Sequence, residues 1–118
     1  MRFAAGEQVY LNNCASCHQA DGQGEEGIAK PLAGSPWVNG VPGRLTRILL
    51  HGKSADQLMP PLGKSMTDQE VAAVLTYVRR AWGNTGLPVD SAFVTDVRGA
   101  EGAREMPWTE AELLEVTR

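Results

Sequence analysis

The sequence predicts an all-α fold of four to five helices in one small domain, and three observations lead there. Apolar residues recur at helical spacing, most clearly at Val71, Val74, Leu75, Val78 and Trp82. Two threonine–glutamate pairs, Thr67 with Glu70 and Thr109 with Glu112, have the spacing of capping boxes and mark where helices begin. No stretch alternates apolar and polar residues convincingly enough to form a strand. With 118 residues, 42% of them hydrophobic and 21% charged, the chain has the size and balance of one ordinary globular core.

The elements follow in order. A first helix is expected from Ala4 to Asn13, burying Val9 and Tyr10 and delivering Cys14 at its C-terminal end. Residues 19–43 hold six glycines and three prolines without periodicity, which predicts an irregular loop. A loop of that length in a compact domain usually has a function. A short helix is expected over Gly43 to His51, with Leu45, Ile48 and Leu49 on its apolar face and Gly52 ending it. The Thr67 helix is expected to continue through Trp82, with Asn84 and Gly86 stopping it. A further turn or two of helix follows Asp90, and Thr109 opens a last short helix carrying Leu113, Leu114 and Val116. No internal repeat is visible. Residues 1–86 therefore read as the core domain and 87–118 as a C-terminal helical extension packed on it.

Charge divides unevenly. Residues 1–86 carry eight basic and seven acidic side chains, whereas residues 87–118 carry three and seven. The acidic balance argues against nucleic acid as a partner, and no basic stripe suggests an anionic membrane surface. The acidic tail reads as a solvated face in preference to a docking surface. No run of eighteen apolar residues exists, so no membrane insertion is expected. Met1, Arg2, Phe3 and Ala4 lead in without the apolar region of a signal peptide, as in a mature form or a domain of a longer chain.

The chemistry concentrates in Cys14, Ala15, Ser16, Cys17 and His18. A CxxCH pentapeptide is the attachment sequence for c-type haem: two thiols three positions apart can each form a thioether to a porphyrin vinyl group, and the following imidazole reaches the iron. The alternatives fit poorly. A thioredoxin-like CxxC needs a strand leading into its helix, and a structural zinc site needs four ligands, which two cysteines and two histidines could supply only with Cys17 and His18 crowded side by side. A local disulfide leaves His18 unexplained. Haem c with iron is the expected cofactor, wrapped by the 19–43 loop. Its buried surface should contribute much of the fold's stability.

Candidates for the second axial ligand are Met59, Met66, Met106 and His51. Met59 is the strongest, because Pro60 and Pro61 stiffen the non-helical stretch that carries it, and a stiff loop loses little chain entropy when a weak thioether bond forms. Met66 directly precedes a helix cap and reads as a core or staple residue. His51 ends an apolar helix, a common place for a hydrogen-bonded structural histidine.

Gly6, Tyr10, the pentapeptide Cys14–His18, Met59 with Pro60, and the helix reading Val74, Leu75, Thr76, Tyr77, Val78 together resemble a class I c-type cytochrome over residues 3 to about 84. In that family the first and last core helices cross at the glycine, here close to residues such as Val74 and Tyr77. The run from Pro31 to Val38, with Arg44 to Gly52, Tyr77 to Asn84 and the Pro107–Trp108–Thr109 segment, is similar to cytochrome domains associated with quinoprotein sugar and alcohol dehydrogenases. By position, the resemblance implies thioethers at Cys14 and Cys17, iron ligands His18 and Met59, and a Pro31 carbonyl that accepts the imidazole proton. It also implies pocket contacts from Leu32, Ile48 and Leu62, and places Trp37 and Arg47 where a propionate could be bound. Ser16, Gln19, Pro60 and Leu62 would lie near an exposed haem edge. The function implied is a single-electron carrier between a dehydrogenase donor and a cytochrome or oxidase acceptor, periplasmic or otherwise extracytoplasmic, acting as a monomer or as a domain of a larger chain. The competing expectation is a haem enzyme or gas or redox sensor with a displaceable sixth ligand.

Overall fold

In the computed structural model, which describes residues 2–27, 29, 31–54 and 59–118, with the side chains of 2, 3, 4 and 16 left aside, the chain forms helices and turns. In order these are α1 (Arg2–Asn13), α2 (Ala15–His18), α3 (Pro36–Asn39), α4 (Pro42–His51), α5 (Asp68–Val78), α6 (Ser91–Ala100) and α7 (Glu110–Leu114), with single 3-10 turns at Gly63–Ser65 and Ala81–Gly83. Four of the helices run ten residues or more and the others are one-turn segments; the expected helices are all present, with α6 longer than the turn or two expected after Asp90. Among the described residues, extended pairing is limited to the isolated bridges Glu25–Ala29, Lys53–Met59 and Lys53–Trp108.

Helix α5 organises the core. Thr67 accepts from the Glu70 amide at 3.1 Å while the Glu70 carboxylate accepts from the Thr67 amide at 2.9 Å, so two of the orphan donors at the helix start are satisfied. Met66 and Val71, both buried, flank that cap in the positions of a hydrophobic staple. Helix α1 lies against α5 so closely that a Cβ at Gly6 would sit 2.1 Å from the Ala73 carbonyl oxygen and 2.7 Å from the Tyr77 Cβ. The expected glycine crossing is present, with Ala73 as the nearest neighbour in place of Val74.

The end of α5 departs from expectation. The helix stops at Val78 and does not run through Trp82, which lies in the following 3-10 turn with a left-handed φ of 54°. The cause is a set of polar contacts that the apolar pattern does not encode. Asn84 Nδ2 donates to the Val78 carbonyl at 2.7 Å and the Gly86 amide to the Arg79 carbonyl at 2.8 Å, folding the chain back under the helix end. The buried Arg79 guanidinium donates to the carbonyls of Leu87, Val38 and Gly40. Trp82 reaches the core by another route: its ring lies 5.1 Å from Tyr10 and 5.6 Å from Tyr77, over Gly22, where a Cβ would meet the indole at 2.4 Å.

One further helix lies in the glycine-rich stretch. Ser35 accepts from the Trp37 amide at 3.2 Å and Pro36 occupies the first turn, so α3 has a serviceable N-cap and a preset φ. Pro42 likewise presets φ in the first turn of α4, one residue before the expected Gly43, though Val41 before it supplies no side-chain cap. Beyond Asp90, whose carboxylate accepts from the Phe93 amide at 2.8 Å, α6 extends for ten residues. It lays Val94 and Val97 on the core, and its Arg98 donates to Asp68 at 2.7 Å and to the carbonyls of Gly63 and Met66.

The buried apolar residues form two clusters. The larger joins α1, α4, α5 and α6 through Tyr10, Leu45, Leu49, Val71, Val74, Leu75 and Val94. The smaller consists of Ile48, Trp108 and Leu113, with Trp37 and Met59 packed against it. Helix α4 serves both, turning Leu45 and Leu49 to one and Ile48 to the other.

Candidate functional site

The CxxCH segment is itself helical. The Cys14 amide donates to the Tyr10 carbonyl at 2.8 Å, closing the last turn of α1, and the amides of Cys17 and His18 both donate to the Cys14 carbonyl, opening α2. Cys14 packs against the large cluster, and burial, reinforced by the neighbouring Cys17, pushes its thiol up to about 11. Cys17 is exposed and His18 half-buried. Gln19 ends α2 with φ 64°, and its carbonyl accepts from the Tyr10 hydroxyl. Burial raises the Tyr10 pKa well above that of a free phenol, so the hydroxyl keeps its proton for that bond.

Opposite this segment the 31–40 stretch is fixed by a residue the sequence presents only as a helix stop. The buried Asn84 donates to the Leu32 carbonyl at 3.2 Å and accepts from the Gly34 amide at 2.8 Å and from Asn39 Nδ2 at 3.0 Å. The amides of Leu32 and Ala33 donate in turn to the Gly22 carbonyl. Leu32 is half-buried against the large cluster and Pro31 is exposed. Besides its place in the Tyr77–Asn84 run that carries the resemblance, Asn84 is signalled in the sequence as an asparagine near a helix end, which reads equally well as a simple stop.

Met59 is held by its main chain. Its amide donates to the Lys53 carbonyl at 3.0 Å and its carbonyl accepts from the Lys53 amide at 3.1 Å. Gly52 permits the approach: its φ is 85°, and a Cβ there would meet the Met59 carbonyl oxygen at 2.4 Å. The Met59 side chain is half-buried on the Ile48, Trp108 and Leu113 cluster beside Trp37. Pro60 is exposed, and Leu62, half-buried on the large cluster, donates its amide to the Leu49 carbonyl at 2.9 Å. Gln57 and Leu58 and the side chain of Ser16 lie outside the described residues.

The expected residues thus fall into two groups. Cys14, Leu32 and Leu62 border the large cluster, while Trp37, Ile48 and Met59 belong to the small one. Arg47 turns towards the extension, pairing with Glu101 at 3.2 Å and donating to the Gly43 carbonyl at 3.1 Å. Trp37 lies under the Lys53 ammonium, 5.2 Å from its ring. Of the other candidate ligands, Met66 is core and Met106 is 70% exposed. His51 is partly buried, and burial with the cations of Arg104, Arg98 and Arg47 lowers its pKa despite the opposing Glu101 charge. Trp108, singled out by sequence only through resemblance, occupies the centre of the small cluster.

These residues fit a haem. Two thiols, an imidazole and a thioether are the donor set that such a group requires, and two buried nitrogens, His51 Nδ1 and Trp108 Nε1, have no hydrogen-bond partner among the described residues. Haem carboxylates would supply acceptors of the kind an indole N–H lacks.

Residues 2–78 match the family described as cytochrome c oxidase, cbb3-type, subunit III. The chain is 39% identical over 97 residues to the cytochrome c subunit of a quinone alcohol dehydrogenase from Gluconobacter oxydans (strain 621H), covering 75% of this chain and 20% of that one. It is 33% identical to the gluconate 2-dehydrogenase cytochrome c subunit of Pantoea cypripedii, over 67% of this chain and 20% of that one. To cytochrome c-552 of Thermus thermophilus it is 34% identical, over 69% of this chain and 70% of that one. The chain therefore spans about a fifth of the dehydrogenase subunits it matches. The crystal structure of the c-type cytochrome XoxG from Methylobacterium extorquens AM1 superposes with a TM-score of 0.56 at 23% identity, covering 86% of this chain and 65% of that one, a likeness of fold. On the motif, the fold and these matches together, the chain belongs to the c-type cytochromes, electron carriers with a covalently bound haem c.

Proposed function

We propose that this domain carries single electrons with His18 and Met59 as the two axial ligands, Cys14 and Cys17 as the thioether anchors, and no open coordination position for a substrate. The observation that supports this most strongly is the way Met59 is held: two main-chain hydrogen bonds to Lys53 and a half-buried side chain on an apolar cluster. A thioether is a weak ligand, and it stays bound where the chain that carries it has little freedom left to gain by letting go. When bound, the haem supplies the reversible one-electron couple, and a soft sulfur ligand in a dry pocket favours its ferrous form.

The chain's own residues do the rest. The exposed Cys17, with the half-buried Gln19 and the exposed Pro60, is assigned to the side from which a partner would approach. Leu32, Ile48 and Leu62 exclude water from the ring. Pro31 is assigned to the imidazole N–H and Trp37 to a propionate. Arg47 is assigned to the extension, because Glu101 and the Gly43 carbonyl already occupy its guanidinium. The domain itself performs no bond chemistry. Its partners are proposed to be a dehydrogenase, quinoprotein in kind, as donor and a cytochrome or oxidase as acceptor, meeting across a small and transient interface in an extracytoplasmic compartment. None of the described helices is long and apolar enough to cross a membrane. Residues 1–86 are proposed as the haem domain and 87–118 as its packed extension.

The test is carbon monoxide on the reduced holoprotein, together with the ferric sulfur-to-iron charge-transfer band. Wild type is expected to show the band and form no prompt carbonyl, and Met59→Leu to lose the band and bind the gas. A wild-type carbonyl formed on mixing would overturn the proposal.

A further inference from the structure

Lys53 is the middle member of a three-stranded contact. On one side it exchanges both main-chain hydrogen bonds with Met59; on the other its neighbours bond to the extension, the Trp108 amide donating to the Gly52 carbonyl at 3.0 Å and the Ser54 amide to the Trp108 carbonyl at 2.9 Å. The two rungs on the extension side belong to a residue fifty-five positions beyond Lys53 in sequence. Trp108 is also 6% exposed and packs in the cluster that Met59 touches.

We propose that Trp108 is a positioning residue for the sixth ligand, and that the extension's 104–112 segment is a clamp setting how readily Met59 leaves the iron. The inference rests on the Met59 ligation proposed above. The Lys53–Met59 pairing alone has no third strand to lean on, and two-stranded pairings are marginal in water. The clamp adds the missing strand and fastens it three ways. The Arg104 guanidinium lies 3.6 Å from the Trp108 ring centroid, a cation–π contact. That guanidinium is itself fixed, donating to both Glu112 oxygens at 2.8 and 3.1 Å and to the carbonyls of Met106 and Pro107. Lys53 Nζ pairs with Glu110 at 3.0 Å, so side chain and main chain tie the same two segments. Thr109 and Glu112 close the capping box of α7 directly after Trp108, which sets the direction in which the chain leaves the clamp.

Mutational loss of the clamp is expected to raise the population in which Met59 is off the iron, and an added ligand binds that population only, so its apparent affinity reports the fraction. The ferric holoprotein is titrated with imidazole while the charge-transfer band is followed, in wild type, Trp108→Leu, Trp108→Ala and Val94→Ala. Val94 is fully buried in α6 of the same extension but lies in the large cluster, so its truncation lowers stability without touching the ladder.

Trp108→Leu and Trp108→Ala are expected to weaken the band and tighten imidazole binding by about tenfold or more, while Val94→Ala lowers Tm and leaves both at wild type. Unchanged imidazole affinity in Trp108→Leu, or an equal change in Val94→Ala, would overturn the clamp. Should neither Trp108 variant accumulate, Arg104→Ala keeps the indole and removes the cation together with its bonds to Glu112, Met106 and Pro107, with about a threefold shift expected and no shift counting against the proposal. A wild-type protein that lacks the band and binds imidazole as tightly as Met59→Leu would instead show that Met59 is not the ligand, a separate failure.

Discussion

The His18 side and the Met59 side of this molecule are built on opposite principles. On the His18 side the proposed ligand and the two proposed anchoring cysteines lie within five residues, and α1, which leads into them, is pressed onto α5 through Gly6. Everything needed is local, apart from one helix crossing. On the Met59 side the proposed ligand's neighbours come from three places in the chain: Gly52 and Lys53 just after α4, Trp37 from α3, and Trp108 from the extension. A strong anchor can be written into a short motif, whereas a weak thioether has to be held by tertiary structure.

The sharpest way to break that contrast is to strike each side at its glycine. Gly6→Ala gains about 1 kcal/mol of helix propensity, but its Cβ would lie 2.1 Å from a backbone carbonyl that cannot rotate away. Overpacking of that kind costs up to about 3 kcal/mol, so the clash wins and a net loss of about 2 kcal/mol is expected from the shift in urea midpoint at unchanged slope. Below the transition the charge-transfer band should remain, because the Met59 ladder is untouched. Persistence of wild-type stability would show that the α1–α5 crossing relaxes freely.

Gly52→Ala is the mirror experiment, with a smaller effect on stability and a larger one on the ligand. Its φ of 85° is left-handed, where a side chain costs about 1–2 kcal/mol. The new Cβ would also sit 2.4 Å from the carbonyl oxygen of Met59 itself. The expected result is a drop in stability of about that size with the charge-transfer band lost or greatly weakened. A variant that keeps the band would mean that Met59 does not depend on the Lys53 pairing.

The same contrast explains what could be read from the sequence. The pentapeptide, the two capping boxes and the apolar face of α5 are patterns within a dozen residues of one another or at a fixed helical period, and all are present in the fold; the Gly6 crossing, also present, joins residues about seventy apart and was legible only through the family resemblance. Met59 as a candidate could be read from its two prolines. The parts that could not be read depend on hydrogen bonds between distant segments. Trp82 has the spacing of a fifth helical core residue, yet Asn84 and Gly86 fold the chain back before the helix reaches it. Asn84 organises the 31–40 stretch through three partners, each more than forty residues away, and ties it to Val78 at the end of α5. Trp108 looks like one more aromatic in an acidic tail until its amide and carbonyl are seen flanking Lys53. Helix α3 is a different case: Ser35 and Pro36 announce it, but surrounding glycines mask a helix of one turn.

Acid separates the two sides most gently. Glu112, in the clamp, has its carboxyl held down to about 2 from an ordinary 4.5, first by Arg104 and then by the Thr109 amide. A depressed carboxylate contributes stability that is present above its unfolded value and is lost as pH falls through the folded one, so this contribution fades between about 4.5 and 2. Asp68, bonded to Thr95 and Arg98 where α5 meets α6, is also lowered and fades in an overlapping window below 3.8. His51 acts higher up. Its folded form resists protonation, so the unfolded chain binds the extra proton and stability begins to fall as pH drops below 6.5. Three variants sort these out in a stability-against-pH series. His51→Gln is expected to flatten the slope just below 6.5, Glu112→Gln to remove part of the slope below 4.5, and Asp68→Asn to remove the rest without altering the charge-transfer band. In Glu112→Gln the loss is expected to stay small, since the carboxylate is exposed and the main-chain rungs from Trp108 to Gly52 and Ser54 persist. A large loss of the band in that variant at neutral pH would shift the grip on Met59 from those rungs to the Arg104–Glu112 pair.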